Sequence, residues 1–473
     1  MTTATTLSAR IQDAHTRTLA LIAGLDEVQL MGPRLPIVNP LRWEIGHAAY
    51  FYEFWVLRHH GGEAPLRPDL DQLYDSMTIA HDTRWDLPLP SLADTLAYLR
   101  TVHERVCARL ADGTDDPRRD YLAQYALDHE DMHTEAFTYT RQTLAYPAPA
   151  IGTAAPGVAP ADRPSGDAAI PGGAFLLGAA PADGFCFDNE QWAHPVEVSP
   201  FRIARTAVSN AEYAAFVDHG GYRRPALWDP EGWQWRTAAA LEQPVYWRRA
   251  GSGWEQRRFD QWEALPPFAA AIHVSWYEAR AYCRWAGRRL PTELEWEVAA
   301  AGAPAQGGRG LARSKRRYPW GDAAPDPTRA NLDGAALGTR DVAALSAGDS
   351  AFGCRQLIGN CWEWTDTLFG PYPGFSPDMY QDYSQPLFGN TRVLRGGCWA
   401  TRGRLILASA GPARFRPSSS TTLADPGSST PSPGRRSITR PAPRSPSSRP
   451  GPPRSPPAWV PAACWWSRAA AVS

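Results

Sequence analysis

The chain has 473 residues, 43% of them apolar, with 20 Trp, 17 Tyr and 15 Phe, which exceeds a typical single core and predicts two folded domains. Its formal charge is −1, yet residues 411–473 hold nine arginines and one acid, Asp425, so that segment carries +8 and residues 1–410 carry −9; an acidic body argues against nucleic acid as a partner. No apolar run reaches about 18 residues and no basic, apolar leader opens the chain, which predicts a cytoplasmic protein without membrane contact.

Residues 8–145 read as helices. LSARIQDAHTRTLALIAGL, WEIGHAAYFYEFWVLRHH, LADTLAYLRTVHERVCARL and RRDYLAQYALDHEDMHTEAFTYTRQTL all repeat apolar residues every three or four positions, the pattern of amphipathic helices in a bundle. The second and third are joined by GGEAPLRPDLDQLYDSMTIAHDTRWDLPLPS, longer than bundle connections usually are and therefore a candidate functional segment. A Pro-, Ala- and Gly-rich stretch follows, so the bundle is assigned to residues 1–147 and a linker to 148–169.

Residues 170–405 read as a loop-rich α+β domain with two clear helices, SNAEYAAFVDHG, capped by Ser209, and SWYEARAYCRWAGRRL. From 406 to 473 Pro, Ser and Arg dominate and aliphatic residues nearly vanish, a composition that buries too little surface to fold. The chain uses one lysine, Lys315, against 47 arginines. That bias marks a GC-rich gene, in which a shifted frame yields Arg, Pro, Ala and Ser. The abrupt change near residue 406 is therefore expected to be a disordered or out-of-frame tail.

His129 and His133 stand four apart in ALDHEDMHTEAF, which puts both on one helix face about 6 Å apart, within reach of one metal ion. His47, among apolar neighbours on the second helix, is the candidate third ligand. Three neutral imidazoles suit ferrous iron with open positions for substrates and dioxygen, and equally a catalytic zinc. The spacing alone is also met by an ordinary surface pair. The seven cysteines, Cys107, Cys186, Cys283, Cys354, Cys361, Cys398 and Cys464, lack CxxC or paired spacing, which fits reduced thiols and offers no clear copper pair.

The second domain carries GGAFLLGA, HPVEVSPFRIARTAVSNAEYAAFV, IHVSWYEARAYCRWAGRRLPTELEWEVAA, YPWGD, GNCWEWT and RVLRGGCW in that order. Each alone reads as core packing, whereas the ordered set resembles the formylglycine-generating-enzyme-like domain, a C-type lectin fold variant. The bundle with His47, His129 and His133 resembles a DinB-type domain, and the pair together resembles the selenoneine synthase and ergothioneine-pathway sulfoxide synthase family. The resemblance implies Fe(II) on the three histidines and dioxygen-dependent joining of sulfur or selenium to C2 of the imidazole of hercynine, a trimethylated histidine betaine.

In PGFSPDMYQDYSQPLFG, Tyr380 matches the family's catalytic tyrosine and Tyr383 a neighbour lining the hercynine pocket. In the connection LYDSMTIAHDTRWDLPLP only Arg84 matches the two arginines that grip γ-glutamylcysteine; His81 stands at the other position. That form looks more like the selenoneine branch, in which His81, Asp82, Arg84 and Trp85 would meet a selenosugar. The expectation is thus carbon–selenium bond formation, with hercynine sulfoxide synthesis as the alternative, and a DinB-type thiol transferase or an inactive binding module behind both. Two departures stand out: Met132 replaces a family glutamine that contacts the hercynine imidazole, and the family stretch that closes the hercynine pocket after RVLRGGCWATRGRL is missing.

Overall fold

The computed structural model describes residues 3–152, 160, 162–181, 184–406 and 467–469. Helix α1 (Thr3–Ile22) is followed by the short α2 (Glu27–Met31), where Asp26 and Gln29 form a reciprocal capping box. Helix α3 (Leu41–Tyr52) widens into a π-helical segment over Glu53–His60, a departure that often accompanies functional sites. The long connection contains α4 (Leu70–Tyr74) and a 3₁₀ turn at His81–Thr83. Ser91 caps α5 (Leu92–Leu110), and Asp116 with Pro117 opens α6 (Pro117–Thr143).

Helices α1, α3, α5 and α6 pack as the expected four-helix bundle. Ile11, Phe51, Val102, Val106, Leu122 and Tyr125 fill one end, and Leu21, Ile45, Leu99 and Phe137 the other. Gly46 is required by a close approach: a Cβ there would meet the Tyr74 ring at 2.2 Å. The absence of a side chain lets α4 lie directly against α3.

In the second domain β1 (Asp167–Ile170) pairs antiparallel with β4 (Phe201–Ala204), Asp167 opposite Ala204. Strand β2 (Gly173–Leu177) pairs antiparallel with β3 (His194–Val198). Helix α7 (Asn210–Asp218) begins at Ser209 as expected, and α8 (Pro230–Ala238) follows. Strands β5 (Trp247–Ala250), β6 (Gly253–Arg258) and β7 (Gln261–Ala264) form an antiparallel meander. Helices α9 (Trp276–Trp285) and α10 (Glu293–Ala301) are capped by Ser275 and Thr292. Strand β8 (Trp362–Leu368) pairs antiparallel with β9 (Arg392–Arg395) and parallel with β10 (Ser467–Ala469).

Two features differ from the sequence reading. Helices α8 and α10 were not expected; every residue of α10 except Leu294 is buried, so no polar face marks its period. Strand β1 starts inside the segment read as linker. The tail assigned to 406–473 lies outside the described residues apart from Ile406 and the strand at 467–469. The six described cysteines are free thiols, and Cys464 lies outside the described residues.

Helix α6 is the wall shared by both domains. Ile37, Val38, Ala136 and Tyr139 join the apolar cluster of the second domain, beside Trp362 and Trp399. Glu135 accepts hydrogen bonds from Trp362 Nε1 (2.8 Å), Thr401 Oγ1 (2.6 Å) and the Cys398 thiol (3.2 Å). Gln142 donates to the Arg257 carbonyl (2.9 Å) and accepts from Phe259 N (2.6 Å). Arg404 pairs with Asp131 on α6 and Asp13 on α1. These buried polar groups find partners across the junction, which fixes the second domain against one face of the bundle.

Candidate metal centre

Trp43, His47 and Phe51 recur every four residues on α3 and so share a face, while His129 and His133 share one on α6. The crossing of these faces brings ligand atoms of His47, His129 and His133 within 4.8 Å of one another. Among the described residues this is the one His, Cys, Asp and Glu group with such spacing. Trp43 stacks on His47 with ring centroids 4.6 Å apart, and Phe51 stacks on His129 at 3.9 Å. These two aromatic plates set the planes of the imidazoles.

His47 Nδ1–H donates to the Tyr74 carbonyl at 2.7 Å, which leaves Nε2 with its lone pair free to ligate. Burial, then repulsion from the His133 ring, holds the pKa of His47 well below 6.5, against the Tyr74 hydrogen bond that raises it. His129 is lowered in the same way, by burial first and then by His133 and His47. Both rings are therefore neutral at pH 7, the form a metal requires. His129 Nδ1 and His133 Nδ1 have no hydrogen-bond partner. Convergent and partly unpartnered imidazoles fit a divalent ion such as Fe(II) or zinc.

Tyr380 arrives from the second domain. Its ring lies edge-on to Phe51 at 5.1 Å and 5.8 Å from the His129 ring, and its hydroxyl hydrogen-bonds Ser76 Oγ at 2.8 Å. Burial, reinforced by Asp382, raises the phenol pKa well above its usual value. Tyr383 lies 4.9 Å from Tyr380 and 6.1 Å from His129, stacked on Tyr125. Their loop is pinned by Tyr121 on α6, which donates to Asp378, and by Asp188, which accepts from Asp378 N (3.1 Å) and Ser384 Oγ (2.8 Å).

The expected donor-side residues divide. Arg84 lies with its guanidinium 3.9 Å over Trp43 and donates through Nη1 to Asn39 Oδ1 at 2.8 Å; its Nε–H has no partner. Burial lowers its pKa, while Tyr380, Glu44 and Asp382 act against that. His81 Nε2 bonds to the Val38 carbonyl at 2.8 Å and Trp85 Nε1 donates to the Met31 and Gly32 carbonyls at 3.1 Å. Those two side chains fasten the connection to the α2–α3 loop. Asp82 is exposed. Met132 is half-buried against the bundle cluster.

Sequence reasoning missed Trp43, Phe51, Asn39, Glu44 and Ser76. The four-residue spacing of Trp43, His47 and Phe51 was the available signal for the first two; the others meet the site only through folding.

The DinB superfamily matches residues 10–137, and the Sulfatase-modifying factor enzyme 1-like domain matches residues 154–439. A hercynine oxygenase of Mycolicibacterium smegmatis is 39% identical over 407 residues, 84% of this chain and 92% of that protein. Another, from Mycolicibacterium thermoresistibile, is 40% identical over 411 residues, 85% of this chain and 89% of its own. A formylglycine-generating enzyme of Streptomyces coelicolor is 36% identical over 282 residues, 54% of this chain and 85% of its own. No helix among the described residues is long and apolar enough to cross a membrane.

Proposed function

Because the chain belongs to the family that joins a DinB-superfamily bundle to a sulfatase-modifying-factor-1-like domain and includes the hercynine oxygenases, we propose that it oxidises hercynine with dioxygen, forming a bond from imidazole C2 to a sulfur or selenium donor. The observation that carries the reading is the convergence of His47, His129 and His133 with Tyr380 from the other domain.

His47, His129 and His133 would hold Fe(II), which when bound supplies the electron transfer that dioxygen chemistry requires. The remaining work belongs to side chains. Trp43 and Phe51 keep the imidazoles in plane and shield them from water. Tyr380, protonated because its phenol is buried, keeps a proton at Oη beside His129 for transfer during turnover. Arg84, whose Nε–H has no partner, offers its guanidinium as a charged donor group to the second substrate. Collecting both organic substrates in one pocket makes their reaction effectively intramolecular.

With a thiol the balance is complete: C2–H and S–H are lost, a C2–S bond forms, and dioxygen ends as one sulfoxide oxygen and one water. Hercynine sulfoxide synthesis is the first reading. The second, in which the Se–H of a selenosugar takes the place of S–H in the same balance and ends as a selenoxide with one water, is favoured by Arg84, whose Nη1 is already used by Asn39, and by His81, whose Nε2 is used by Val38. That leaves one guanidinium, and no second fixed cation from His81, to grip a donor bearing several carboxylates.

The test is anaerobically purified, iron-loaded full chain given hercynine and air, with γ-glutamylcysteine or a selenosugar in parallel. Oxygen uptake and product mass are read together. A sulfoxide adduct supports the first reading and a selenium adduct the second. Iron-loaded protein that neither consumes oxygen nor alters hercynine with either donor overturns both.

A further inference from the structure

Glu44 lies one turn before His47 on α3 and is 1% exposed. Its Oε1 accepts from Asn39 Nδ2 at 2.8 Å, and Asn39 Oδ1 accepts in turn from Arg84 Nη1 at 2.8 Å. Its Oε2 has no hydrogen-bond partner and lies 3.8 Å from His133 Nδ1, which has none either. Buried polar groups are nearly always paired, so an acceptor and a ring nitrogen left facing each other at this distance call for a physical account. A carboxylate behind a ligating imidazole supplies one: it takes the proton of one ring nitrogen, fixes the tautomer and turns the other nitrogen toward the ion. His47 already has this arrangement, with the Tyr74 carbonyl as its acceptor.

Resting on the three-histidine reading, we propose that Glu44 is a positioning residue of the metal centre, accepting Nδ1–H of His133 and leaving Nε2 to the ion. The same carboxylate ties that ligand to the donor side. From His133 the path runs through Glu44 and Asn39 to Arg84, the side chain with a charged N–H still to give. A second path returns from the Arg84 guanidinium through the Trp43 ring to His47. An anionic or hydroxyl group captured by Arg84 therefore acts on two of the three ligands, so that binding of the second substrate and the setting of the metal centre are coupled.

The test is a Co(II) titration of the full chain, read by visible d–d bands, for wild type, Glu44→Gln, Asn39→Ala and His133→Ala. Glutamine keeps an oxygen for Asn39 but turns an amide N–H₂ toward His133 Nδ1–H. Co(II) affinity is expected to fall about 10–100-fold with altered bands, while far-UV circular dichroism of the metal-free chain stays as in wild type. Asn39→Ala leaves the carboxylate in place without its anchor, shifts affinity in the same direction by a smaller factor, and keeps the idea testable if Glu44→Gln does not fold. Wild-type affinity and bands in both variants, with binding abolished in His133→Ala, overturn the role of Glu44. Co(II) binding that survives His133→Ala overturns the three-histidine reading instead.

Discussion

Replacing Glu135 by leucine should loosen the junction on which the whole site depends. The residue is 3% exposed and stands two positions after His133 on α6. Burial raises its carboxyl pKa, opposed by the hydrogen bonds it accepts from Thr401, Trp362 and Cys398. Leucine fills similar space but leaves Trp362 Nε1 and Thr401 Oγ1 buried without this acceptor, at about 1–3 kcal/mol each. A thiol is a weak donor and adds little. The expected loss is therefore about 2–6 kcal/mol, measured by urea unfolding at equilibrium. Trp362→Phe removes one of the stranded donors while keeping an aromatic ring. Glu135→Leu combined with it should cost less than the two separate losses, with a coupling of about 0.5–3 kcal/mol. A single variant within about 0.5 kcal/mol of wild type, or strictly additive losses, would refute the view that Glu135 latches the domains together.

Other outcomes follow from the same geometry. His133→Ala should reduce bound iron, measured by elemental analysis, from about one per chain to a trace. Tyr380→Phe should leave Co(II) binding intact and slow turnover by about 10²–10⁴-fold; unchanged turnover would remove its proton role. Since the pKa values of His47 and His129 lie below 6.5, their rings are neutral at pH 7. Co(II) affinity should lose no strength to these two rings near pH 7; the two imidazoles themselves, followed by NMR in the metal-free chain, should take up protons only as pH drops well below 6.5, and a midpoint at or above 6.5 for either ring would contradict the burial argument. Gly46→Ala puts a Cβ 2.2 Å from the Tyr74 ring, so it should destabilise the chain by about 1–3 kcal/mol and weaken metal binding by displacing the carbonyl that orients His47. Thermal unfolding with and without Co(II) measures both effects.

Much of the architecture was legible in the residues themselves. The bundle helices repeat at three and four, Ser209 caps its helix as its position suggests, and HxxxH can only put its two rings on one helix face. Local geometry decides such features, because a hydrogen-bonded helix fixes the direction of each side chain from its neighbours alone. Helix α10 escaped notice because burial on nearly every side erases the polar face on which periodicity depends.

Folding across the chain decided the rest. His47 joins His129 and His133 only because α3 crosses α6, and Tyr380 reaches them only because Glu135, Gln142, Asp131 and Tyr121 hold the second domain on α6. Glu44 looks like any surface-helix acid until Asn39 and Arg84 close over it. These are juxtapositions of residues distant in the chain, set by which apolar faces bury each other and which polar groups must then find partners. Spacing along one helix carries no record of them.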